Sequence, residues 1–417
     1  MKHLIIRNIG PIKEADIELK RFNFIIGPQS SGKSTVAKIL STCEWIEKEV
    51  ETTRDEQAVG NGDNFISLVE SFHKMEDYFN HGEDSYVSYV TDFIEILYEH
   101  HELNIHLNRL VPYHRQKICY IPAERNMVTL PELKGFEFNT TNLRSFLFDW
   151  YRAREFYTPQ NKTDVLSLGV QYYYDATKST KNDRIQHING QSYDISLSNS
   201  SSGLQSLTPL LVMLQYYSDQ YFAEYDFKNS FEQNNKVKKM RLALTHEVAL
   251  SQYMPGYVEK DTSTLVKQFN EDLRRGDQRV VKIFESYEKA CDRLMIPNRT
   301  TFIIEEPEQN LYPFTQVALI ESIVKLCCNG RDHGYTITTH SPFVLNYLNV
   351  LIARYYKNIT DVAWLDPKDL GVFGTVDGRL SDLMQKNTKT EEYSVNADDL
   401  VEAMRYMYTE YRQMKAL

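Results

Sequence analysis

A glycine-rich loop near the N-terminus has the residue types that bind nucleotide phosphates. Gly27 to Ser34 fits the pattern G-x-x-x-x-G-K-[ST] and follows Phe22 to Ile26, an apolar run that predicts a buried strand. Glycine lets backbone N–H groups turn towards phosphate oxygens, and the N-terminus of the helix predicted from residue 34 adds partial positive charge. Lys33 would contact the β- and γ-phosphates and Ser34 would bind Mg²⁺, unless the segment is only a tight turn. The residues expected to contact the nucleotide are Gly27, Gln29, Ser30, Ser31, Gly32, Lys33, Ser34 and Thr35.

Two adjacent carboxylates end a second predicted strand. Thr301 to Ile304 forms a short apolar run, and Glu305 and Glu306 follow it directly. Ligands of doubly wound sheets bind at the carboxyl edge of the strands, so both acids are expected beside the phosphates. Glu305 would hold Mg²⁺ through water, and Glu306 would take a proton from the attacking water as general base. The alternative is an exposed strand end with two solvated acids.

A histidine follows a third predicted strand. Tyr335 to Thr339 predicts the strand, and His340, followed by Ser341 and Pro342, comes next. At the same sheet edge, the imidazole could hydrogen-bond the γ-phosphate or position the attacking water. An isolated histidine of this kind is usually a surface residue, but the Ser-Pro pair and the order of the motifs favour a catalytic role.

A serine-rich segment provides a second helix N-terminus. Ser200 to Gln205 reads S-S-S-G-L-Q and precedes an apolar helix, so free backbone N–H groups are expected at Ser201 and Gly203. One nucleotide does not need two such sites from one chain. The second is therefore expected to contact ATP bound by another copy, which predicts self-association. The alternative is a serine-rich helix cap without a ligand.

The order of these segments predicts an α/β fold in which a mixed sheet packs against the helix that follows the phosphate loop. Two helical inserts are expected to interrupt this sheet-containing domain, which we call the head. The chain becomes more polar from about residue 49, and its segments Phe65 to Val69 and Phe93 to Leu97 are interpreted as helical. The expected segments are 1–48 (head with the phosphate loop), 49–116 (helical insert), 117–203 (head strands and the serine-glycine segment), 204–297 (helical subdomain), 298–385 (head with the paired acids and His340) and 386–417 (C-terminal helix).

Composition argues against a uniformly basic nucleic-acid-binding protein, a membrane protein and a secreted protein. The 417 residues carry a net charge of −10, which argues against a uniformly basic, nucleic-acid-binding surface. No apolar run approaches the ~18 residues of a membrane span, the N-terminus does not resemble a signal peptide, and the five cysteines are scattered. A cytoplasmic protein without membrane contact is expected.

A local basic patch is the one candidate for DNA contact. It would combine two runs in the second helical segment, although acidic residues interrupt them and such runs are usually solvated helix faces. Its residues are Lys236, Lys238, Lys239, Arg241, Arg274, Arg275, Arg279 and Lys282.

The motifs as a set resemble those of the ABC-type ATPases of the SMC, RecF and OLD group. Gly27 to Ser34 is similar to their Walker A, Glu305 to Pro313 to their Walker B and D-loop, and Thr338 to Pro342 to their H-loop. Ser201 and Gly203 match the signature serine and glycine, and Ile121 to Arg125 resembles a segment of OLD-like defence ATPases. The resemblance implies an ATPase that binds ATP and Mg²⁺ and dimerises head to head.

The chain departs from the family pattern at three places. The signature lacks its leading leucine and second glycine, and no glutamine stands at the Q-loop, although Gln116 and Glu124 are near. The carboxylate after the Walker B strand is Glu305, where the family has aspartate. The sequence also contains no Asp-x-Asp pair, so the Toprim nuclease of OLD proteins is expected to be absent.

Two functional classes remain open. By resemblance to stand-alone anti-phage ATPases, the chain would be the sensor or regulatory subunit that controls a separate effector, a nuclease or toxin. Alternatively it would be a RecF- or SMC-like repair ATPase that clamps DNA. The helical inserts are too short for an SMC arm and show no sustained heptads, which favours the defence role. A nucleotide-binding scaffold without hydrolysis is a third reading, and the two adjacent glutamates argue against it.

Overall fold

A computed structural model gives the fold of the chain. It describes residues 2–79, 84–130, 141–178, 180–189, 192–225, 233–257, 262–327 and 330–416. The strands are β1 (Lys2–Ile9), β2 (Ile12–Leu19), β3 (Phe22–Ile26), β4 (Tyr86–Val90), β5 (Ile94–Glu99), β6 (Glu102–Leu107), β7 (Gln116–Ile121), β8 (Thr163–Asp164), β9 (Val170–Tyr174), β10 (Asp183–His187), β11 (Asp194–Ser196), β12 (Arg299–Glu305), β13 (Gly334–Thr339), β14 (Leu370–Val376), β15 (Arg379–Asp382), β16 (Met384–Lys386) and β17 (Tyr393–Val395).

The helices lie mostly between these strands. They are α1 (Lys33–Thr53), α2 (Gly62–His73), α3 (Asn142–Phe156), α4 (Ser202–Gln215), α5 (Tyr221–Ala223), α6 (Gln233–Leu244), α7 (Ser251–Tyr253), α8 (Thr262–Arg274), α9 (Gln278–Met295), α10 (Pro313–Cys327), α11 (Pro342–Tyr356) and α12 (Asp398–Ala416). The π-helical segments Tyr216–Gln220 and Thr245–Leu250 continue α4 into α5 and α6 into α7. Short 3₁₀ helices cover Ala123–Thr129, Leu197–Asn199 and Pro367–Asp369.

An eleven-stranded mixed sheet organises the described residues. Its strand order is β6-β5-β4-β1-β2-β15-β14-β3-β13-β12-β7, and β14, β3, β13, β12 and β7 run parallel to one another. The register pairs Ile26 with Thr339, Thr338 with Glu305, and Ile304 with Ile121. The carboxyl ends of these parallel strands therefore meet at one edge. The predicted α/β fold with a mixed sheet and a phosphate-loop helix is confirmed.

Each face of the sheet packs against its own hydrophobic cluster. Alternate side chains of a strand point to opposite faces, so Phe24 joins one cluster and Ile25 the other. The Phe24 cluster contains residues of α4, α10 and α11, and the Ile25 cluster contains residues of α1 and α2. Strand β3 is covered on both faces, so all five of its residues are buried and most of them are apolar.

The segment expected as a helical insert over 49–116 differs from that expectation. Helix α1 continues to Thr53 and α2 is helical, but β4, β5 and β6 form an antiparallel extension of the sheet. Ile94, Ile96 and Tyr98 are buried while their neighbours are more exposed, which is the period-two pattern of a half-buried strand. The run Phe93 to Leu97 was too short for its periodicity to separate helix from strand.

The expected C-terminal helix also begins later than residue 386. Strands β16 and β17 pair as a small antiparallel sheet, and α12 starts only at Asp398. In the region expected to be a helical subdomain, α4 to α9 account for most of the residues that the structure describes.

Candidate functional site

The glycine-rich loop joins β3 to α1 at the carboxyl edge of the parallel strands. Gly32, which precedes α1, has a φ of 96°, and a Cβ there would lie 2.2 Å from Cδ1 of Ile12. Only glycine fits this conformation and this contact. The Lys33 side chain is buried, and its Nζ donates to the Pro28 carbonyl oxygen at 2.7 Å. Lys33 therefore lies folded over the loop that it would help to close around a phosphate.

The pKa of Lys33 reflects its enclosed position. Burial lowers the pKa of its ammonium group, and the nearby carboxylates of Glu306 and Glu308 oppose that shift. The ammonium group of Lys33 therefore lies close enough to these two carboxylates to be affected by their charge.

A residue of β14, Thr375, contacts the phosphate loop, which the sequence did not indicate. The hydroxyl groups of Thr375 and Ser31 are hydrogen-bonded, and Thr375 Oγ1 also donates to the Ile26 carbonyl oxygen at 3.3 Å. A Cβ on Gly27 would lie 1.9 Å from Thr375 Oγ1. Only the parallel pairing of β14 with β3 places Thr375 here, because the two segments are far apart in the sequence.

Glu305 is the buried acid at the end of β12. Its side chain is 4% exposed, and Oε2 accepts a hydrogen bond from the Ala123 N–H at 3.3 Å. Burial raises the pKa of the carboxyl group, and Ser34, Lys38 and the Tyr120 hydroxyl lower it. Ser34 and Glu305, the two residues expected to hold Mg²⁺, therefore lie together.

Three buried acceptor oxygens at or just after the end of β12 could each interact with a cation or a donor. Among the described residues, Glu305 Oε1, Glu308 Oε2 and Gln309 Oε1 are buried without a hydrogen-bond partner of normal geometry. Buried acceptors of this kind are costly unless a donor or cation satisfies them. Mg²⁺ binds oxygen ligands and is often held by one or two protein groups together with substrate phosphates. In the described part of the chain, no group of three or more His, Cys, Asp and Glu residues is placed so that it could hold a metal ion.

Glu306 and His340 form the partly exposed pair of the site. His340 Nε2 lies 3.3 Å from Glu306 Oε1, and the backbone N–H of His340 donates to Glu308 Oε1 at 2.6 Å. Glu306 has a φ of 45°, and its N–H donates to the Thr338 carbonyl oxygen at 2.9 Å. Left-handed backbone is uncommon for a residue with a side chain, and it is often found at functional sites. The geometry suits a general base whose orientation is set by a histidine.

The serine-glycine segment lies beside the loop that follows Glu306 in the same chain. Ser201 caps α4 by accepting from the Leu204 N–H at 3.4 Å, and both Ser201 and Ser202 are exposed. A Cβ on Gly203 would lie 3.0 Å from the Asn310 carbonyl oxygen. The N-terminus of α4 is therefore open to solvent, where a second chain could reach it.

Arg125 is a second residue whose role the sequence did not indicate. Its side chain is fully buried, and its guanidinium donates to carbonyl oxygens in three segments. Nε donates to the carbonyl oxygen of Ser206 at 3.0 Å, and Nη2 donates to that of Glu306 at 2.7 Å. Nη1 donates to the carbonyl oxygens of Pro122 at 3.3 Å and Glu305 at 2.8 Å. Burial lowers the pKa of Arg125 to about 10, and the carboxylates of Glu308, Glu306 and Glu305 oppose the shift.

The basic patch is partly neutralised. Four of its eight residues form ion pairs or hydrogen bonds. Lys236 pairs with Glu49, Lys239 with Asp55 and Arg275 with Asp272. Arg279 donates to the carbonyl oxygens of Gln252 and Tyr253. The other four patch residues are Lys238, Arg241, Arg274 and Lys282. All eight remain candidates for DNA contact, since the paired side chains of Lys239 and Arg275 are still 69% and 75% exposed. In the described ranges, no helix combines the length and the apolar character that a membrane span requires.

Comparison with known proteins gives structural likenesses only. No protein-family model and no curated protein matches the sequence. The SMC head domain from Thermotoga maritima matches at 10% identity and a TM-score of 0.38, over 91% of this chain and 97% of that one. An ATP-binding cassette of an ABC transporter in its ADP conformation matches at 11% and 0.30, over 91% and 90%. The recombination mediator protein RecF matches at 11% and 0.29, over 91% and 97%. With TM-scores below 0.5, these likenesses do not decide the roles of residues here, which follow from their own contacts.

Proposed function

We propose that the chain is an ABC-type ATPase that hydrolyses ATP to ADP and phosphate. One observation carries the proposal: adjacent parallel strands deliver the phosphate loop, the two glutamates and His340 to one sheet edge in a mutually consistent geometry. The supporting contact is that of His340 Nε2 with Glu306 Oε1 at 3.3 Å.

The residues divide the chemistry among them. The loop N–H groups and Lys33 hold the β- and γ-phosphates, and Glu306 accepts a proton from the attacking water while His340 orients that water or the γ-phosphate. Ser34 and Glu305 would hold Mg²⁺, which would neutralise charge on the phosphate oxygens. The partial burial of the site strengthens these electrostatic interactions, since less water screens them.

Self-association completes the proposed site. The exposed N-terminus of α4, with Ser201 and Gly203, contacts the γ-phosphate of ATP that is bound by another copy. The observation in favour is that Ser201 and Ser202 face solvent rather than the interior of their own chain. The assembly is then a homodimer or a higher oligomer built on ATP.

Steady-state phosphate release tests the hydrolytic function. Glu306→Gln should reduce turnover by about a hundredfold or more while ATP still binds, because general-base catalysis contributes at least that much. Lys33→Ala should lose ATP binding itself. Glu285→Gln, an exposed glutamate on α9, is the matched control and should behave as wild type. Absence of hydrolysis by the wild type would contradict the enzyme assignment, and unchanged turnover in Glu306→Gln would contradict the choice of base.

The cellular role that we propose is regulation of a separate effector, a nuclease or toxin, in a cytoplasmic anti-phage complex. Its support is the resemblance of the motif set to stand-alone defence ATPases and the absence of an Asp-x-Asp pair in the sequence. Phage challenge of cells carrying the gene with its neighbours should show protection that Glu306→Gln abolishes. Loss of DNA-damage tolerance without any effect on phage would favour the alternative, a RecF- or SMC-like DNA clamp.

A further inference from the structure

We infer that Arg125 is a positioning residue for hydrolysis, which holds the backbone of Glu306 and couples it to the N-terminal part of α4. The inference rests on the proposed function in one respect, that Glu306 is the base. Arg125 touches neither the carboxylate of Glu306 nor any atom expected to react, so its influence would pass through the backbone.

Three hydrogen bonds fix the two peptide groups around Glu306. Arg125 donates to the carbonyl oxygens of Glu305 and Glu306 at 2.8 and 2.7 Å, and the Glu306 N–H donates to Thr338 at 2.9 Å. Glu306 has a φ of 45°, a conformation that persists only where its surroundings enforce it. Arg125 supplies two of these three bonds. Its loss would therefore release the backbone that aims the carboxylate towards His340.

The choice of partners distinguishes Arg125 from an ordinary buried arginine. Among the described residues, its four side-chain hydrogen bonds go to neutral carbonyl oxygens, and the nearby carboxylates of Glu305, Glu306 and Glu308 act on its charge without accepting a hydrogen bond from it. The planar guanidinium can donate in several fixed directions at once, which a lysine ammonium cannot reproduce. Burying this charge costs free energy, and the cost is explained if Arg125 holds the segments of Pro122, Glu306 and Ser206 in one relative geometry.

The third segment is α4, whose N-terminus carries Ser201 and Gly203. Arg125 Nε donates to the Ser206 carbonyl oxygen at 3.0 Å, and Asn310 Nδ2 donates to Ser206 Oγ at 3.1 Å. One residue of α4 is thus tied both to Arg125 and to the loop that follows Glu306. Displacement of α4 when its N-terminus engages the nucleotide of another copy would reach the Glu306 backbone through these two contacts.

Enzyme kinetics provide the first test. Arg125→Lys should lower kcat by about tenfold or more with a KM for ATP changed by less than about threefold, because small misplacement of a catalytic group mainly affects the chemical step. In an Arg125→Lys, Glu306→Gln double variant, turnover should equal that of Glu306→Gln alone, because both changes act on one group. Reductions that multiply in the double variant would overturn the positioning role.

A matched control and a second measurement separate positioning from loss of folding. Arg115→Lys is the control, because Arg115 lies next to the opposite end of β7 and also donates to a carbonyl oxygen, that of Met295, at 3.0 Å. Amide hydrogen exchange in the nucleotide-free protein should be faster over residues 306–311 in Arg125→Lys and unchanged there in Arg115→Lys. Unaltered exchange would overturn the inference even if the protein does not hydrolyse ATP. Faster exchange in a protein that lacks turnover would instead contradict only the proposed function.

Discussion

At the scale of single residues, the site depends on contacts between side chains that are distant in the sequence. Lys33, Glu306 and His340 could be predicted, because each follows a recognisable strand within a few residues. Thr375 and Arg125 could not, since their roles depend on which strands are neighbours and on which carbonyl oxygens a buried group meets. The positions of Lys33, Glu306 and His340 can be inferred from local sequence spacing, whereas the contacts of Thr375 and Arg125 can be identified only in the tertiary structure.

Thr375 provides the first residue-scale prediction. Thr375→Val removes the hydroxyl that bonds Ser31 and Ile26 while keeping a similar volume. A single neutral hydrogen bond contributes about 1 kcal/mol, so the KM for ATP should rise roughly fivefold with little change in kcat. Steady-state kinetics would measure this.

The control for Thr375→Val is Thr208→Val. Thr208 is also a fully buried threonine, but among the described residues its hydroxyl has no hydrogen-bond partner. This variant should leave the KM unchanged. An equal increase in both variants would show that the effect comes from general loosening of the core and not from the phosphate loop.

At the scale of elements, the antiparallel strands β4 to β6 support the phosphate-loop helix. Tyr89 of β4 donates to Glu47 of α1 at 2.7 Å, and both side chains are buried. Burial raises the pKa of the Glu47 carboxyl group, while Lys2 and the bond from Tyr89 lower it. The two elements are thus joined by a polar contact inside an apolar cluster.

Removing this contact should affect stability more than catalysis. Tyr89→Phe leaves a buried carboxyl group without its donor, and the free energy of unfolding should fall by about 1–3 kcal/mol, the usual cost of an unsatisfied buried polar group. Urea unfolding would measure the change. Tyr86→Phe is the control, since Tyr86 on the same strand is only partly buried. Equal stability of the Tyr89 variant and wild type would contradict the supporting role of β4.

The same strands show where sequence patterns fail at this scale. The strand from Phe22 to Ile26 and the start of the helix after the loop could be predicted, because the loop motif fixes both neighbours. The end of that helix could not, since α1 continues to Thr53, past the boundary expected at residue 48. Ile94 to Glu99 has no such motif beside it, and a six-residue segment is too short for its pattern to separate helix from strand. Pairing with β4 and β6, which supplies hydrogen bonds along both edges, decides the outcome.

At the scale of the whole molecule, the net charge of −10 argues against a uniformly basic surface, so the basic patch is the place to test for DNA contact. Replacing Lys238, Lys239, Arg274 and Arg275 with alanine should weaken binding of duplex DNA and reduce its salt dependence, because fewer counterions are released. Titration of a labelled duplex at several salt concentrations would measure both effects. Binding that is unchanged across the salt series would remove the patch from consideration.

The central claim concerns assembly: each ATP site takes its phosphate loop from one copy and its signature helix from another. Two individually inactive variants, Lys33→Ala and Ser201→Arg, test this directly when they are mixed. In a mixed dimer, one site combines both lesions and the other combines an intact Lys33 with an intact Ser201. Phosphate release should therefore reappear on mixing, which would place Ser201 and Gly203 on the nucleotide of the partner copy. If both variants are inactive alone and the mixture remains inactive although mixed dimers form, the shared-site account is wrong.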